Sequence, residues 1–469
     1  MIVPLEGRAV CVAGLGVSGP PAALALAARG ARVTVLEKID DEMRRAQAAT
    51  LESAGVTVVL GARANALPAG SELVVTSPGW RPDTPLLAAA LAAGVPVIGD
   101  VELAWQLRPV LTNGRRQEWL AVTGTNGKTT TVKMLAAMLR AAGHRTIAAG
   151  NVGVALTEVV ADPEPYSVLA VELSSFQLYW SDTLRPLAAA VLNVAPDHLD
   201  WHGGMDAYAE AKGRVYAPGT VAICNNDDAW SRRLAAKAAG DAAVACTLGA
   251  PEPGQLGVAD GELTDRAFGP PGAAVALAPV TDVRPAAPHN VANALAAAAL
   301  ARAYGIPAAA VRSGLRAFEP DAHRISLVGR VGGVDYVDDS KATNPHAAAA
   351  SLAAYPAVVW VAGGLLKGAE VDDLVRAAGA RLRAAVLLGT DRAKIRQALS
   401  RHAPNVPVTE VSGTDTGVMD HVVTEAAALA RPGDTVLLAP AAASLDMFAN
   451  YGARGDAFAA AVRKLSAAS

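Results

Sequence analysis

Short apolar runs alternate with longer, alanine-rich amphipathic stretches from Arg8 to about Val110. Ala9 to Ala13, Val33 to Leu36, Val56 to Leu60, Leu73 to Thr76 and Val95 to Ile98 read as strands with helices between them, which is the pattern of a doubly wound sheet. The polar piece Leu111 to Gln117 breaks this pattern and reads as a linker. Alternation resumes with the apolar run Trp119 to Val122, the amphipathic stretch Val132 to Leu139, and strand candidates Ser167 to Val171, Ala188 to Val194 and Val221 to Cys224. Residues 248–288, rich in Gly, Pro and Asp, predict turns or a small strand insertion, and Asn290 to Ala303 predicts a helix. A second boundary is expected near Glu319-Pro320. Beyond it Val358 to Val361, Val386 to Leu388 and Thr435 to Leu438 alternate with helices in a further α/β unit, so the expected division is 1–112, 113–319 and 320–469.

Composition narrows the class. A chain of 469 residues is long enough for about three domains with well-buried cores. Apolar residues make up 52% of it, yet no membrane-crossing segment is expected. Met1 to Gly7 carries neither a basic segment nor an apolar signal core, and a cytoplasmic protein without membrane insertion is expected. Cys11, Cys224 and Cys246 form no metal-binding spacing, and no disulfide is expected. A net charge of -3 without a basic tract argues against nucleic acid as a partner, while allowing local basic pockets for anions.

Gly124-Thr125-Asn126-Gly127-Lys128-Thr129-Thr130 lies between a strand candidate and a helix candidate. In such a turn backbone N–H groups converge on a phosphate chain, Lys128 reaches the terminal phosphates and the Thr129 hydroxyl can hold Mg2+. Val122 stands where a full P-loop has its first glycine, so the motif is a shortened P-loop for a purine triphosphate. Gly14-Leu15-Gly16-Val17-Ser18-Gly19, with Glu37 at the end of the next strand, has the spacing of a dinucleotide fingerprint, and a dehydrogenase is the obvious rival. Pro20 and Pro21 and the lack of any feature for hydride chemistry speak against it; the same loop suits a UDP-sugar pyrophosphate. Glu172 ends a strand, where its carboxylate would emerge at the carboxyl edge of the sheet and could ligate Mg2+. Asp197 and His198 sit on a turn, where a lone histidine is more often a cap or core residue than a ligand. Lys212, on the predicted helix Met205 to Val215, would by itself be a solvated lysine.

Taken together, the shortened P-loop, Glu172-Leu173-Ser174-Ser175-Phe176-Gln177-Leu178, Asn193-Val194-x-x-Asp197-His198-Leu199-Asp200, Tyr208-x-x-x-Lys212, His289-Asn290-x-x-Asn293 and Asp339-Ser340-Lys341-Ala342-Thr343-Asn344 resemble the Mur ligase family in order and spacing. The resemblance implies three α/β domains: an N-terminal Rossmann-like domain, a central P-loop mononucleotide-binding domain and a C-terminal Rossmann-like domain. It also implies an ATP-dependent amide ligase, monomeric, that adds D-glutamate to UDP-N-acetylmuramoyl-L-alanine through an acyl phosphate in peptidoglycan precursor synthesis. By the same resemblance Lys128, His198, Lys212 and Lys341 are catalytic. Gly124, Thr125, Asn126, Gly127, Lys128, Thr129, Thr130, Asn290, Asn293, Arg324 and Asp339 would bind ATP. Thr129 and Glu172 would hold one Mg2+, and His198 with a carbamylated Lys212 a second, since a carbamate offers oxygen ligands that an ammonium lacks. Ser18, Glu37, Gly79, Asn151 and His198 would meet the UDP substrate, and Thr343, Lys367, Ser444, Leu445 and Tyr451 the amino acid. Glu37-Lys38 departs from the family's commonest Asp-Thr pairing, and Tyr451 stands where Phe is frequent. Sibling ligases for L-alanine, a diamino acid or folate polyglutamate should differ in the third segment. A non-catalytic nucleotide-binding regulator should have lost Lys128, Glu172, His198 or Lys212, and all are present. Because the expected site draws on the central and third segments, closure about a hinge near Phe318 to Asp321 is expected on substrate binding.

Overall fold

The computed structural model describes residues 4–270, 272–413 and 417–468. Its five N-terminal strands form a wholly parallel sheet in the order Thr57–Leu60, Arg32–Glu37, Ala9–Ala13, Leu73–Thr76, Val97–Gly99. Parallel strands covered on both faces must be apolar throughout, and Val10 to Ala13 are all buried. The final strand begins later than its apolar run suggests. The Val95 amide is spent on the Ala90 carbonyl, closing the preceding helix around Gly94 at φ +69, so pairing starts at Val97.

The central sheet runs Ala148–Gly150, Val168–Glu172, Glu118–Thr123, Ala188–Val191, Val221–Asn225, Val244–Cys246, Gln255–Ala259, all parallel, and continues into the antiparallel strands Glu262–Asp265 and Val275–Pro279. Those last strands are the insertion expected within 248–288. The strand Glu118–Thr123 lies between neighbours that leave in opposite directions along the sheet, so the loop after it opens at a topological switch point. The helix Met205–Gly213 ends two residues earlier than expected, and the helix at 290 begins at Pro288. The linker region folds back on itself through a bridge between Val110 and Arg116.

The chain separates into two compact units, one of Met1–Asp282 with Ala292–Phe318 and one of Val283–Val291 with Glu319–Ser469, the division passing within the helix Pro288–Ala303. The first unit therefore carries both of the sheets described above. They are joined by a buried carboxylate: Glu102 is 0% exposed and accepts hydrogen bonds from the Asp182 and Thr183 amides at 3.0 Å each, from Gln106 Nε2 at 2.8 Å, and from the Thr183 hydroxyl. Trp105 on the same helix meets Trp119 edge to face at 5.2 Å. Replacing Glu102 with alanine leaves two amides without acceptors and should lower unfolding free energy by about 2–3 kcal/mol. Urea unfolding of wild type and variant checks this, and a change below about 0.5 kcal/mol would show the carboxylate to be dispensable.

In the second unit the sheet order is Ser326–Val331, Val334–Asp338, Thr435–Leu438, Val358–Gly363, Leu382–Leu388, Val408–Glu410, parallel except for the first pair. Trp360 is fully buried and donates its indole N–H to the Ala439 carbonyl at 2.8 Å, anchoring the loop that leaves the neighbouring strand.

Candidate active site

The P-loop follows from local geometry. Gly124 and Gly127 adopt φ +153 and +83, and Gly127 occupies the N-cap of the helix Lys128–Ala141, where it has no side chain to cap the first turn. A Cβ on Gly127 would lie 2.3 Å from Asn293 Oδ1, which places Asn293 directly against the loop. Asn193 braces the turn from the adjacent strand end. Its carbonyl accepts from the Thr125 amide at 2.9 Å, its Oδ1 from the Asn126 amide at 2.9 Å, and its Nδ2 donates to the Asn126 carbonyl at 3.1 Å. These bonds end the strand at Val191 rather than Val194. Thr125 is held by Ala195 and by the Tyr208 hydroxyl at 3.1 Å.

Two ammonium groups share one oxygen here. Lys128 Nζ donates to the Gly124 and Thr125 carbonyls at 2.9 Å each, and Lys212 Nζ donates to the same Gly124 carbonyl at 2.9 Å. Lys212 is 2% exposed, and burial first, then the Lys128 charge, push its pKa well below that of an ordinary lysine, with Asp197 opposing. A lysine so placed gives up its proton more readily than an exposed one, which favours carbamylation.

Glu172 stands at the carboxyl end of its strand and is 2% exposed. Asn151 Nδ2 donates to Oε1 at 2.9 Å, whereas Oε2 is buried without a hydrogen-bond partner. A buried carboxylate oxygen left unsatisfied is the donor a hard cation takes, so the residues fit Mg2+. The string that follows has its own local cause: Ser174 and Gln177 form a reciprocal capping box at the start of Ser175–Tyr179. Phe176 of that helix packs against His198, ring centroids 4.8 Å apart, and stacks on His202 at 5.5 Å. His198 has φ +53, a half-exposed side chain and Asp197 Oδ2 at 3.6 Å. His202 meets the Ser175 hydroxyl at 2.9 Å, and burial followed by the Lys212 and His198 charges pushes its pKa down to about 4, so its ring is neutral near pH 7.

In the N-terminal sheet Glu37 uses its carboxylate within the fold, accepting from the Leu15 amide at 2.8 Å and the Ile39 amide at 2.9 Å, which fixes the glycine loop. Ser18 is the N-cap of Gly19–Ala27, half-buried, and Gly79 is exposed. Beneath Ser18 lies Asp100, 7% exposed, whose pKa burial raises to about 6 while the Ser18 hydroxyl holds it down.

Of the remaining expected residues, all but Asn293 lie in the second unit. Asn290 and Asn293 lie on opposite sides of the division between units, and Asn290 Nδ2 donates to the Pro285 carbonyl at 3.2 Å. Asp339 is buried, accepts from the Ser351 hydroxyl, and has its pKa raised to about 6 by burial, with Ser351 and Arg324 opposing. Lys341 Nζ sits 4.0 Å over the Tyr451 ring. Thr343 follows on the same loop, its amide on the Lys341 carbonyl at 2.8 Å. Lys367 is exposed at φ +51, Ser444 is buried and Leu445 is 63% exposed. The roles of Asn193, Glu102 and Ser351 were not expected. Asn193 lies inside a motif that had been recognised, and only the pairing across the sheet shows its use.

The Mur ligase MurD-like N-terminal domain matches residues 8–99, the Mur ligase middle domain residues 122–301, and the Mur ligase glutamate ligase domain residues 323–442. The chain belongs to the Mur ligase family. It is similar to a UDP-N-acetylmuramoylalanine--D-glutamate ligase of Thermobifida fusca, 61% identical over 468 residues with 98% of this chain and 99% of the relative covered. A Streptomyces coelicolor relative of the same name is 62% identical over 469 residues, with coverage of 98% and 99%. Among solved structures, a pseudomurein peptide ligase type C from Methanothermus fervidus shares the fold of this Mur ligase with a TM-score of 0.58 at 17% identity, covering 98% of this chain and 100% of that one. No helix among the described residues of the Mur ligase is long and apolar enough to cross a membrane.

Proposed function

We propose that this Mur ligase joins D-glutamate to UDP-N-acetylmuramoyl-L-alanine in peptidoglycan precursor synthesis, in the cytoplasm, with ATP converted to ADP and phosphate. The identity of 61% and 62% over 98% of the chain to D-glutamate ligases supports the choice of substrates. The observation that carries the chemistry is the convergence of Lys128 and Lys212 on the Gly124 carbonyl. Two lysines meeting on one neutral carbonyl oxygen concentrate positive charge at the loop, which suits an anionic ligand. Mg2+ would be held by Thr129 and Glu172 at one position and by His198 with the carbamate of Lys212 at another, supplying charge neutralisation at the phosphate oxygens.

The substrate carboxylate attacks the γ-phosphorus, the bond to the β-phosphate oxygen breaks, and ADP leaves. Lys128 and the P-loop amides hold the charge that builds on the transferred group. The D-glutamate amine then attacks the acyl carbon and the C–O bond to phosphate breaks; the amine gives up a proton as the amide forms. Ser18 and Gly79 would hold the UDP moiety, Glu37 bracing the loop that carries Ser18, and Asn151 and His198 the sugar-peptide end. Asn290, Asn293, Arg324, Asp339 and Lys341 would serve ATP and the transferred phosphate. Thr343, Lys367, Ser444, Leu445 and Tyr451 would hold D-glutamate, Lys367 being suited to its side-chain carboxylate.

The test is phosphate release with ATP, Mg2+ and UDP-N-acetylmuramoyl-L-alanine against D-glutamate, L-glutamate, L-alanine and diaminopimelate, with the product identified by mass. Turnover is expected with D-glutamate alone. A comparable rate with L-alanine would overturn the assignment.

A further inference from the structure

Among the described residues, two cationic side chains are almost wholly withdrawn from water: Lys212 at 2% exposed and Arg454 at 1%. The first belongs to the nucleotide site. Arg454 has no part in the chemistry above, and a buried guanidinium persists only where its donors are satisfied.

Arg454 lies in the first turn of the helix Tyr451–Ala468. Its Nε donates to Ser340 Oγ at 2.9 Å and Nη2 to the Ser340 carbonyl at 2.8 Å, while Nη1 donates to the Ala442 carbonyl at 3.0 Å and the Gly363 carbonyl at 3.4 Å. Ser340 Oγ in turn donates to the Tyr451 carbonyl at 2.7 Å. Every acceptor is neutral, and Asp446 and Asp338 act on the guanidinium only through space. Burial pulls its pKa down to about 10, which leaves it charged at neutral pH.

The acceptors mark the carboxyl ends of three adjacent parallel strands: Ser340 follows Val334–Asp338, Ala442 follows Thr435–Leu438, and Gly363 ends Val358–Gly363. The loops leaving those ends carry Lys341 and Thr343, Ser444 and Leu445, and Lys367 respectively. Two of the loops are also tied to each other by reciprocal bonds between Leu365 and Ala443 at 2.8 and 2.9 Å. Each contains a non-glycine residue in the left-handed region, Lys367 at φ +51 and Ala441 at φ +60. Such residues persist where surrounding bonds over-determine them.

We propose that Arg454 is a positioning residue for the amino-acid substrate: its planar fork holds the three strand-end loops in one register, and its unpaired buried charge favours an anionic side chain on the incoming amino acid. This rests on the reading that these loops bind D-glutamate. Lysine cannot reproduce the pattern, because one ammonium cannot span the ends of three strands in a plane.

The experiment is steady-state kinetics of R454K and R454M with each of the three substrates varied in turn, D-glutamine serving as the neutral counterpart of D-glutamate. R454K should raise the KM for D-glutamate about tenfold and leave those for ATP and the UDP substrate within about twofold. R454M should in addition reduce the preference for D-glutamate over D-glutamine, a ratio that general loosening would not move. If R454M does not fold, the KM pattern of R454K decides alone. An unchanged D-glutamate KM in R454K, or an equal rise in all three KM values, overturns the proposal. If wild type turns over another amino acid in place of D-glutamate, the substrate assignment fails; a selective rise in that amino acid's KM in R454K would still support the clamp.

Discussion

Lys212→Met is expected to be inactive, by about 10³-fold or more, and yet more stable than wild type. The two effects have one cause. The Lys212 amine is 2% exposed, bonded to a carbonyl it shares with Lys128, and its pKa lies well below that of an ordinary lysine because of burial and then the Lys128 charge. The folded state thus binds this proton less tightly than the unfolded chain does. Between the folded and unfolded values the unfolded chain carries the extra proton, so the fold gains stability as pH rises toward 10.5 and loses it as pH falls. Methionine has no such proton, and replacing the buried cation should stabilise by about 1–4 kcal/mol near pH 7. The advantage of the variant should shrink as pH is raised. Activity should vanish because methionine can supply neither the proposed carbamate nor a charge for an anion, and wild-type activity should fall when dissolved carbon dioxide is removed. Denaturant unfolding at several pH values, beside phosphate release, checks both halves. A variant that is less stable and still turns over would refute the reading of Lys212 as a strained functional group.

Gly127→Ala should lower the affinity for ATP about 100-fold. Alanine at φ +83 is strained wherever it stands, but here its Cβ would also lie 2.3 Å from Asn293 Oδ1, so the asparagine has to move or the loop has to open. Either outcome disturbs the phosphate cradle and the expected base contact together. Gly114→Ala is the control: φ is +78, similar to Gly127, and nothing lies within 4 Å, so only the backbone strain applies. That variant should lose some stability and keep its ATP affinity. Calorimetric titration with a non-hydrolysable ATP analogue separates the two, and equal affinities for Gly127→Ala and wild type would remove Asn293 from the loop's function.

The strand runs, the shortened P-loop and the family strings were legible in the chain because each is local. A parallel strand buried on both faces is a continuous apolar run, and a phosphate loop between strand and helix has to be glycine-rich at positions near one another in sequence. The Glu172 to Leu178 string was legible as a family mark, while its physical basis, the Ser174 and Gln177 capping box, emerged from the geometry. Strand limits were less legible where a terminal residue had a second use. Val95 closes a helix before it can pair, and Asn193 leaves the strand to brace the P-loop.

Periodicity and motif spacing determined the alternation of elements, the position of the nucleotide loop and the set of residues worth testing, since all of these depend on neighbours a few positions apart. Tertiary structure alone decided which of those residues carry unusual chemistry. Lys212 reads as a surface lysine until the helix that bears it sets its amine on Gly124, 88 positions away, and Arg454 reads as an ordinary helix arginine until it meets Ser340, 114 positions away. Burial of a charge is a property of what surrounds it. The surroundings of these two residues come from distant strand ends that only the assembled sheets bring together.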